Sequence, residues 1–394
     1  MASSPGYAYH RSQICVIDSN DRDLGAVRSA LDPYYDVQAF ANSQDALDWL
    51  RGNRPALVVM DEACRPLSGL SLLEAFFRIP IVRQGEWKSR APVICTGSGK
   101  GSPFLLRARE LKADFLMLKP YKGSQLLQAV SALVNRKHEE GWERLPEAAS
   151  DALLLSADLF DSLSDMVENN LPLPLGSIAL ACKAIDTAAA KGQTGILLNS
   201  LIGHNNVIFV HSLRVAMHLA LFGRATGVSG MSLMSLIMAG LLHDMGKIGI
   251  PVQTLNKPGE LSFEERKLMR GHLEDTTKIL DRSAGAPQSV VAAIAQHHER
   301  LDGTGYPQGL IGEAVSAFGR QLAIADVYCA MTDLRPYRPA KSRDEALAEM
   351  QTMKGAFDPA LFKLFKRLVA EEAALAAPSE PAIAMADEVP PPPP

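Results

Sequence analysis

The 394-residue chain reads as two parts of different fold class, an N-terminal doubly wound α/β sheet and a C-terminal all-α bundle. Three observations predict this. Four short apolar runs lie in the first third: "ICVID" (14–18), "ALVVMD" (56–61), "APVICTG" (91–97) and "ADFLMLKP" (113–120). From about residue 151 no such run recurs, and apolar residues take a helical spacing through about 370. The length also exceeds that of one ordinary domain.

Each run is short and apolar throughout, as in strands buried on both faces of a parallel sheet. Amphipathic segments such as "SQDALDWLRGN" (43–53) separate them, and the alternation predicts helices between strands. In such sheets the ligand-facing residues sit at the carboxyl ends of the strands. Asp18, Asp61, Thr96 and Lys119 fall there. The charged stretch "NRKHEEGWERLPE" (135–147) predicts a linker helix, so the expected division is 1–135, a linker at 136–150, and a helical part at 151–370. "ALLLSADLFDSLSDMVENN" (152–170) and "SIALACKAIDTAAAKG" (177–192) open that part. The remainder, 371–394, is rich in Ala, Pro and Glu and is expected to be disordered, because it has too little apolar surface to bury.

A net charge of −4 argues against nucleic-acid binding, which usually needs a basic excess. Five scattered cysteines without a CxxC predict a reduced, cytoplasmic setting and no cysteine-ligated zinc. The N-terminus lacks an apolar core of signal-peptide length. The longest apolar stretch, 233–242, is too short to span a bilayer and is expected as a buried helix.

Seven of the nine histidines lie between His204 and His298. His211 is expected to open a helix. His243 and Asp244 end the apolar run in "AGLLHDMGKIGIP" (239–251), and His272 follows an acid-rich segment. His297 and His298 close "SVVAAIAQHH" (289–298), and Asp326 lies inside "QLAIADVYCAM" (321–331). Imidazoles and carboxylates together suit iron, manganese or zinc. Neighbours on a helix point about 100° apart, so each adjacent pair is expected to address different parts of a cavity. A carboxylate there can bridge two ions. Asp326 would be costly to bury without a partner, whereas His204 and His218 are expected as ordinary surface or satisfied core histidines. After the His297–His298 pair, "ERLDGTGYPQG" (299–309) carries three glycines and a proline, a chain built to turn sharply.

Six blocks in order carry a family resemblance: "HSLRV" (211–215), "HDMGKIGIP" (243–251), "LNKPGELSFEE" (255–265), His272, "HHERLDGTGYPQGLIGE" (297–313) and "IADVYCAMTDLRPYR" (324–338). Together they resemble the HD-GYP family of metal-dependent phosphohydrolases, which cleave cyclic di-GMP to pGpG or on to GMP. The resemblance implies one ion, iron or manganese, on His211, His243, Asp244 and Asp326. Asp244 would bridge to a second ion on His272, His297 and His298. Asp244 and Lys247 would be catalytic, with Lys247 one helical turn after His243. Lys247, Arg335 and Arg338 would contact phosphate, and Tyr306 would stack on guanine. Two positions depart from the family. Val207 stands where some members carry a glutamate for a third metal, so two ions are expected. Leu273 and Thr276 replace a proline and a glycine after His272, a change expected to alter packing.

The first part resembles a response-regulator receiver. Asp61 would be the phosphoacceptor on the third strand, Thr96 the switch hydroxyl, and Lys119 the lysine of the fifth strand, with Asp18 in the acidic cluster that holds Mg²⁺. Ser19 replaces a second acid, and Pro66 is displaced by one position from the family's proline. A phosphorylated receiver and a receiver kept for dimerisation therefore both stay open. Implied partners are cyclic di-GMP, a sensor histidine kinase, diguanylate cyclases at the GYP surface, and a second copy of the chain. Two other readings compete: a non-catalytic signalling adaptor, and an HD hydrolase of another nucleotide.

Overall fold

The computed structural model describes residues 12–32, 34–79, 90–204, 206–255, 257, 259–283, 285–333 and 340–376. The first part alternates strand and helix: β1 (Gln13–Ile17), α1 (Asp21–Leu31), β2 (Asp36–Phe40), α2 (Ser43–Gly52), β3 (Leu57–Asp61), α3 (Gly69–Arg78), β4 (Val93–Gly97), α4 (Pro103–Glu110), β5 (Phe115–Leu118) and α5 (Gly123–Glu139). The strands are all parallel, in the order β2-β1-β3-β4-β5. Alternate side chains enter two separate cores. Ile14, Val16 and Val59 pack beneath Val27 of α1 and Val130 of α5, while Cys15, Ile17, Val58 and Met60 pack against α2, α3 and α4. Period-two alternation with apolar residues on both sides makes the strands continuous greasy runs. β2 escapes that signal. It is an edge strand, largely half-exposed, and its "DVQAF" mixes polar and apolar residues.

The stretch 136–150 is not one linker helix. It comprises the last turn of α5, a 3₁₀ turn at Trp142–Arg144, and the first turn of α6 (Glu147–Glu168). Gly141 and Pro146 interrupt it, the latter because proline cannot continue a helix from within. Trp142 stacks on His204 with ring centres 5.6 Å apart and donates its indole N–H to the Ser200 carbonyl. The His204 ring meets the Glu139 carboxylate at 3.1 Å, which makes it a satisfied core histidine. His218 is also buried, edge-on to Tyr328 and Phe365.

The second part is helical throughout: α7 (Leu175–Ala190), α8 (Thr194–Ser200), α9 (Val207–Ala225), α10 (Gly230–Leu242), α11 (Val252–Leu255), α12 (Phe263–Asp281), α13 (Gln288–Gln296), α14 (Ala317–Thr332), α15 (Arg343–Thr352) and α16 (Pro359–Ala376). One apolar core runs through it, centred on α7, α9, α10, α13 and α14. Among the described residues α9 alone is long and apolar enough to cross a membrane, and two thirds of it (67 %) is buried inside the bundle. The disordered tail expected from 371 is corrected at its start, since 371–376 belong to α16, which continues to Ala376. Residues 377–394 lie outside the described ones.

Candidate metal centre

Five segments converge at the heart of the bundle. Asn206 caps α9 by accepting from the Phe209 N–H, and α9 starts at Val207, so His211 lies in its second turn and does not open the helix. α10 ends at Leu242, with His243 as its cap. Asp244 leaves helical geometry (φ −104°, ψ 12°) and a 3₁₀ turn, Met245–Gly249, follows. α13 ends at Gln296, just before His297 and His298. Each adjacent pair sits at the end of its helix, His243 and His297 still with helical φ/ψ, and both members reach one cavity. His243 Nε2 lies 3.4 Å from Asp244 Oδ2, and the His297 and His298 ring centres are 4.0 Å apart.

The structure brings all seven expected residues together. His211 Nε2 lies 3.0 Å from Asp326 Oδ1 and 3.3 Å from His243 Nε2. Asp244 presents Oδ2 to His211 at 3.6 Å and Oδ1 to His272 Nε2 at 3.4 Å. Three overlapping triads each place ligand atoms within 4.8 Å: His211–His243–Asp326, His243–Asp244–His297 and His272–His297–His298. Asp244 is thus one carboxylate between two groups of imidazoles.

The rings are held from behind. His243, His272 and His297 donate Nδ1–H to the carbonyls of Gly240 (2.8 Å), Met269 (2.5 Å) and Ile294 (2.7 Å), which turns each Nε2 toward the cavity. Asp244 Oδ1, His272 Nε2 and His297 Nε2 are buried and have no hydrogen-bond partner among the described residues. Buried polar atoms seldom stay unpaired, and oxygen and imidazole nitrogen are the donors that a divalent transition metal takes. The residues fit such ions.

Burial disfavours charge on all these groups, and their neighbours decide the outcome. Asp244 and Asp326 hold His243 up at about 10. Against the same burial, Asp333 and Asp326 hold His211 above its ordinary value. Burial carries His272 and His297 below the ordinary value, His297 with help from His298 and His243. It brings His298 down to about 4. Asp244 and Asp326 remain well below the usual carboxylate range despite burial, Asp244 through His243 and Lys247, Asp326 through His211 and His243. Anionic Asp244 and Asp326 beside the lowered His272, His297 and His298 are in the protonation states metal ligands need, whereas His243 and His211, held up by the carboxylates, would release protons when an ion binds.

Lys247 is not one turn along the same helix as His243, because α10 has ended. It reaches the centre from the 3₁₀ turn, with Nζ 2.6 Å from Asp244 Oδ2. Tyr306 lies beside the centre with ring contacts of its own. Its ring is stacked on His298 at 4.8 Å, and the Arg270 guanidinium lies 4.7 Å from its centre. Arg335 and Arg338 lie outside the described residues.

Two features unforeseen in the sequence shape the surroundings. The buried Glu299 carboxylate accepts from the backbone N–H groups of Gln308, Gly309 and Leu310 at 2.7–3.1 Å and so pins the glycine-rich loop. A Cβ on Gly305 would fall 2.3 Å from the Arg300 nitrogen, so only glycine allows this fold-back. Thr276 does more than alter packing. Its hydroxyl donates to the His272 carbonyl at 2.7 Å and accepts from the Gly246 N–H at 2.9 Å, tying the turn after Asp244 to α12.

The profile of the HD domain family matches residues 182–361. The cyclic di-GMP phosphodiesterase response regulator RpfG of Xanthomonas campestris pv. campestris is 30 % identical over 329 residues, spanning 83 % of this chain and 79 % of that protein. The chain belongs to the HD-GYP family. A cyclic di-GMP phosphodiesterase of Pseudomonas aeruginosa is 34 % identical over 200 residues, 48 % of each chain. The 3'3'-cGAMP-specific phosphodiesterase 3 of Vibrio cholerae is 39 % identical over 159 residues, 40 % of this chain and 34 % of that one. The chain thus spans about half or less of the length of these last two relatives.

The α/β part of this HD-GYP chain has the receiver fold, and its polar residues gather at the carboxyl ends of the strands. Lys119 Nζ reaches Asp61 at 2.8 Å, Asp18 at 3.1 Å and Asp23 at 2.6 Å. Thr96 donates to Asp61 Oδ2 at 2.6 Å. Asp23, in the first turn of α1, is an acid that strand-end reasoning misses. Ser19 faces away from this cluster. Its hydroxyl donates to the Ala41 carbonyl at 2.6 Å and accepts from the Arg65 N–H at 2.7 Å, so it staples two loops.

Proposed function

We propose that this chain hydrolyses cyclic di-GMP to linear pGpG and, by a second cut, to GMP. The observation carrying this reading is Asp244, whose two oxygens face separate sets of imidazoles. His211, His243, Asp244 and Asp326 would hold one ion, and Asp244, His272, His297 and His298 the other. Two divalent ions, iron or manganese, supply activated water and neutralise phosphate charge when bound there. The protein's own groups do the rest. Backbone-anchored imidazoles fix the site before substrate arrives. Lys247, partly exposed beside Asp244, offers its ammonium to a non-bridging phosphate oxygen. Arg335 and Arg338 would grip phosphate with forked guanidiniums. Tyr306 backs His298 and forms the wall against which a base enters.

The receiver, within 1–135, is proposed to regulate the catalytic part, 151–370, through phosphorylation of Asp61 by a sensor histidine kinase. Mg²⁺ would bind near Asp18 and Asp61. A cytoplasmic homodimer, with diguanylate cyclases meeting the GYP surface, completes the proposal. The test is to load the protein with iron or manganese without oxygen, add cyclic di-GMP and separate the products. The reading expects pGpG, and unchanged substrate with both metals contradicts it. The likeness to a 3'3'-cGAMP-specific enzyme supports a second reading, in which that dinucleotide is the better substrate. Comparing kcat/KM for the two decides between them. An Asp244→Ala variant with the full cellular effect would favour a binding adaptor over either enzyme.

A further inference from the structure

Three of the five histidines at the centre take their Nδ1 partner from a backbone carbonyl three residues earlier. His211 does not. Its Nδ1 lies 2.6 Å from Asp333 Oδ2, on the residue that caps the C-terminal end of α14. Asp333 is buried, and it is held in turn. Arg214, one turn after His211 on α9, forms an ion pair with Asp333 Oδ1 and donates to the Thr332 hydroxyl at 2.9 Å. The Asp333 backbone N–H is tied to the Cys329 carbonyl at 2.7 Å.

We propose that Asp333 is a positioning residue: its carboxylate, clamped by Arg214, fixes His211 with Nε2 toward the cavity and makes it the most strongly donating imidazole of the set. The inference rests on the reading of the centre as a metal site. A carboxylate behind a ligating imidazole fixes its tautomer and raises its basicity, which a peptide carbonyl does more weakly. The consequence is asymmetry. The ion on His211 should depend on Asp333, while the ion on His272, His297 and His298, none of which Asp333 touches, should not.

The experiment titrates the metal-stripped full chain with Mn²⁺, following free ion by electron paramagnetic resonance, for wild type, Asp333→Asn and Asp333→Ala. Wild type should bind two ions. Asp333→Asn should weaken one of them by roughly 10–100-fold, the usual range for such outer residues, and leave the other unchanged. Asp333→Ala should lose at least as much, and excess Mn²⁺ should restore occupancy in both, which a misfolded chain would not allow. Arg214→Gln, which keeps the His211 contact but loosens the clamp, should show a smaller loss at the same ion. Two tight ions in Asp333→Asn would overturn the proposal, as would equal weakening of both ions. Turnover plays no part in this readout. Failure to cleave cyclic di-GMP would contradict the proposed function and leave the titration result for Asp333 intact. A wild type that binds no ion overturns both.

Discussion

The chain holds two buried acidic sites, and they solve the same electrostatic problem in opposite ways. In the receiver, three carboxylates close on one internal cation, Lys119, and Thr96 takes a further lone pair. In the helical part, two carboxylates face five imidazoles, and three of the buried polar atoms there lack a hydrogen-bond partner among the described residues. The first cluster carries its counter-charge within the chain. The second has one such cation, Lys247 on Asp244, and leaves three buried donor atoms that only a cation from outside would engage. Charge burial without such compensation costs several kcal/mol, so the two sites should respond differently to mutation, metal and pH.

The largest effect should come from Asp244. Asp244→Ala removes the one group that faces both sets of imidazoles, and turnover should fall by more than the roughly 100-fold seen for outer-shell changes. Metal analysis should show both ions weakened. Retention of both would break the contrast between the two sites.

Lys119→Met tests the receiver. It leaves Asp18 and Asp61 buried without their cation, and breaking a buried pair costs about 3–5 kcal/mol, toward the low end here because Lys119 is 24 % exposed. Urea denaturation should show the loss, and millimolar Mg²⁺ should recover part of it, since hard cations take carboxylate oxygen. No loss would mean that the cluster is not held by Lys119.

Glu372 is an intermediate case. It is largely buried, with Arg214 and His218 nearby, and burial pushes its carboxyl up to about 7 against the pull of Arg214. The native state therefore holds this proton more tightly than the unfolded chain, whose glutamate titrates near 4.5. The resulting stability is complete below about 4.5 and is lost as pH rises through about 7. Metal-free Glu372→Gln should match wild type at pH 4 and exceed it at pH 8 by up to about 3 kcal/mol. An equal difference at both pH values would remove the charge argument.

The smallest effect is expected at the glycine-rich loop. Glu299→Gln keeps shape but replaces charged acceptors for three N–H groups, a loss of about 1–3 kcal/mol. Hydrogen exchange at Gln308, Gly309 and Leu310 should quicken while metal affinity holds. Unchanged exchange there would show that Glu299 does not anchor the loop.

Much of this was legible in the sequence. The three central strands and the edge strand β5 are apolar in sequence and announce themselves, whereas β2, at the other edge, mixes polar and apolar residues and does not. The histidines and Asp326 were noticeable as a group, but the set of seven came from the family resemblance, since His272 lies in an acid-rich segment with no apolar signal. Their mutual placement was harder to read, because a helix period says nothing of where a helix ends. His243–Asp244 and His297–His298 converge only because α10 and α13 stop beside them. The supporting groups stayed hidden for a similar reason. Asp333, Arg214, Glu299 and Asp23 look like surface charges in the sequence, and their roles depend on partners up to about 120 positions away, such as the 122 between His211 and Asp333. Thr276 looked like a packing change and proved to be a hydrogen-bonded staple.

The contrast between the two acidic sites is tested most directly by metal content per chain, measured on full-length protein purified without oxygen and desalted. Two transition-metal ions per wild-type chain, both lost or weakened in Asp244→Ala and both kept in Lys119→Met, is the predicted result. A folded wild-type chain that carries no transition metal and takes up none when it is offered would contradict it.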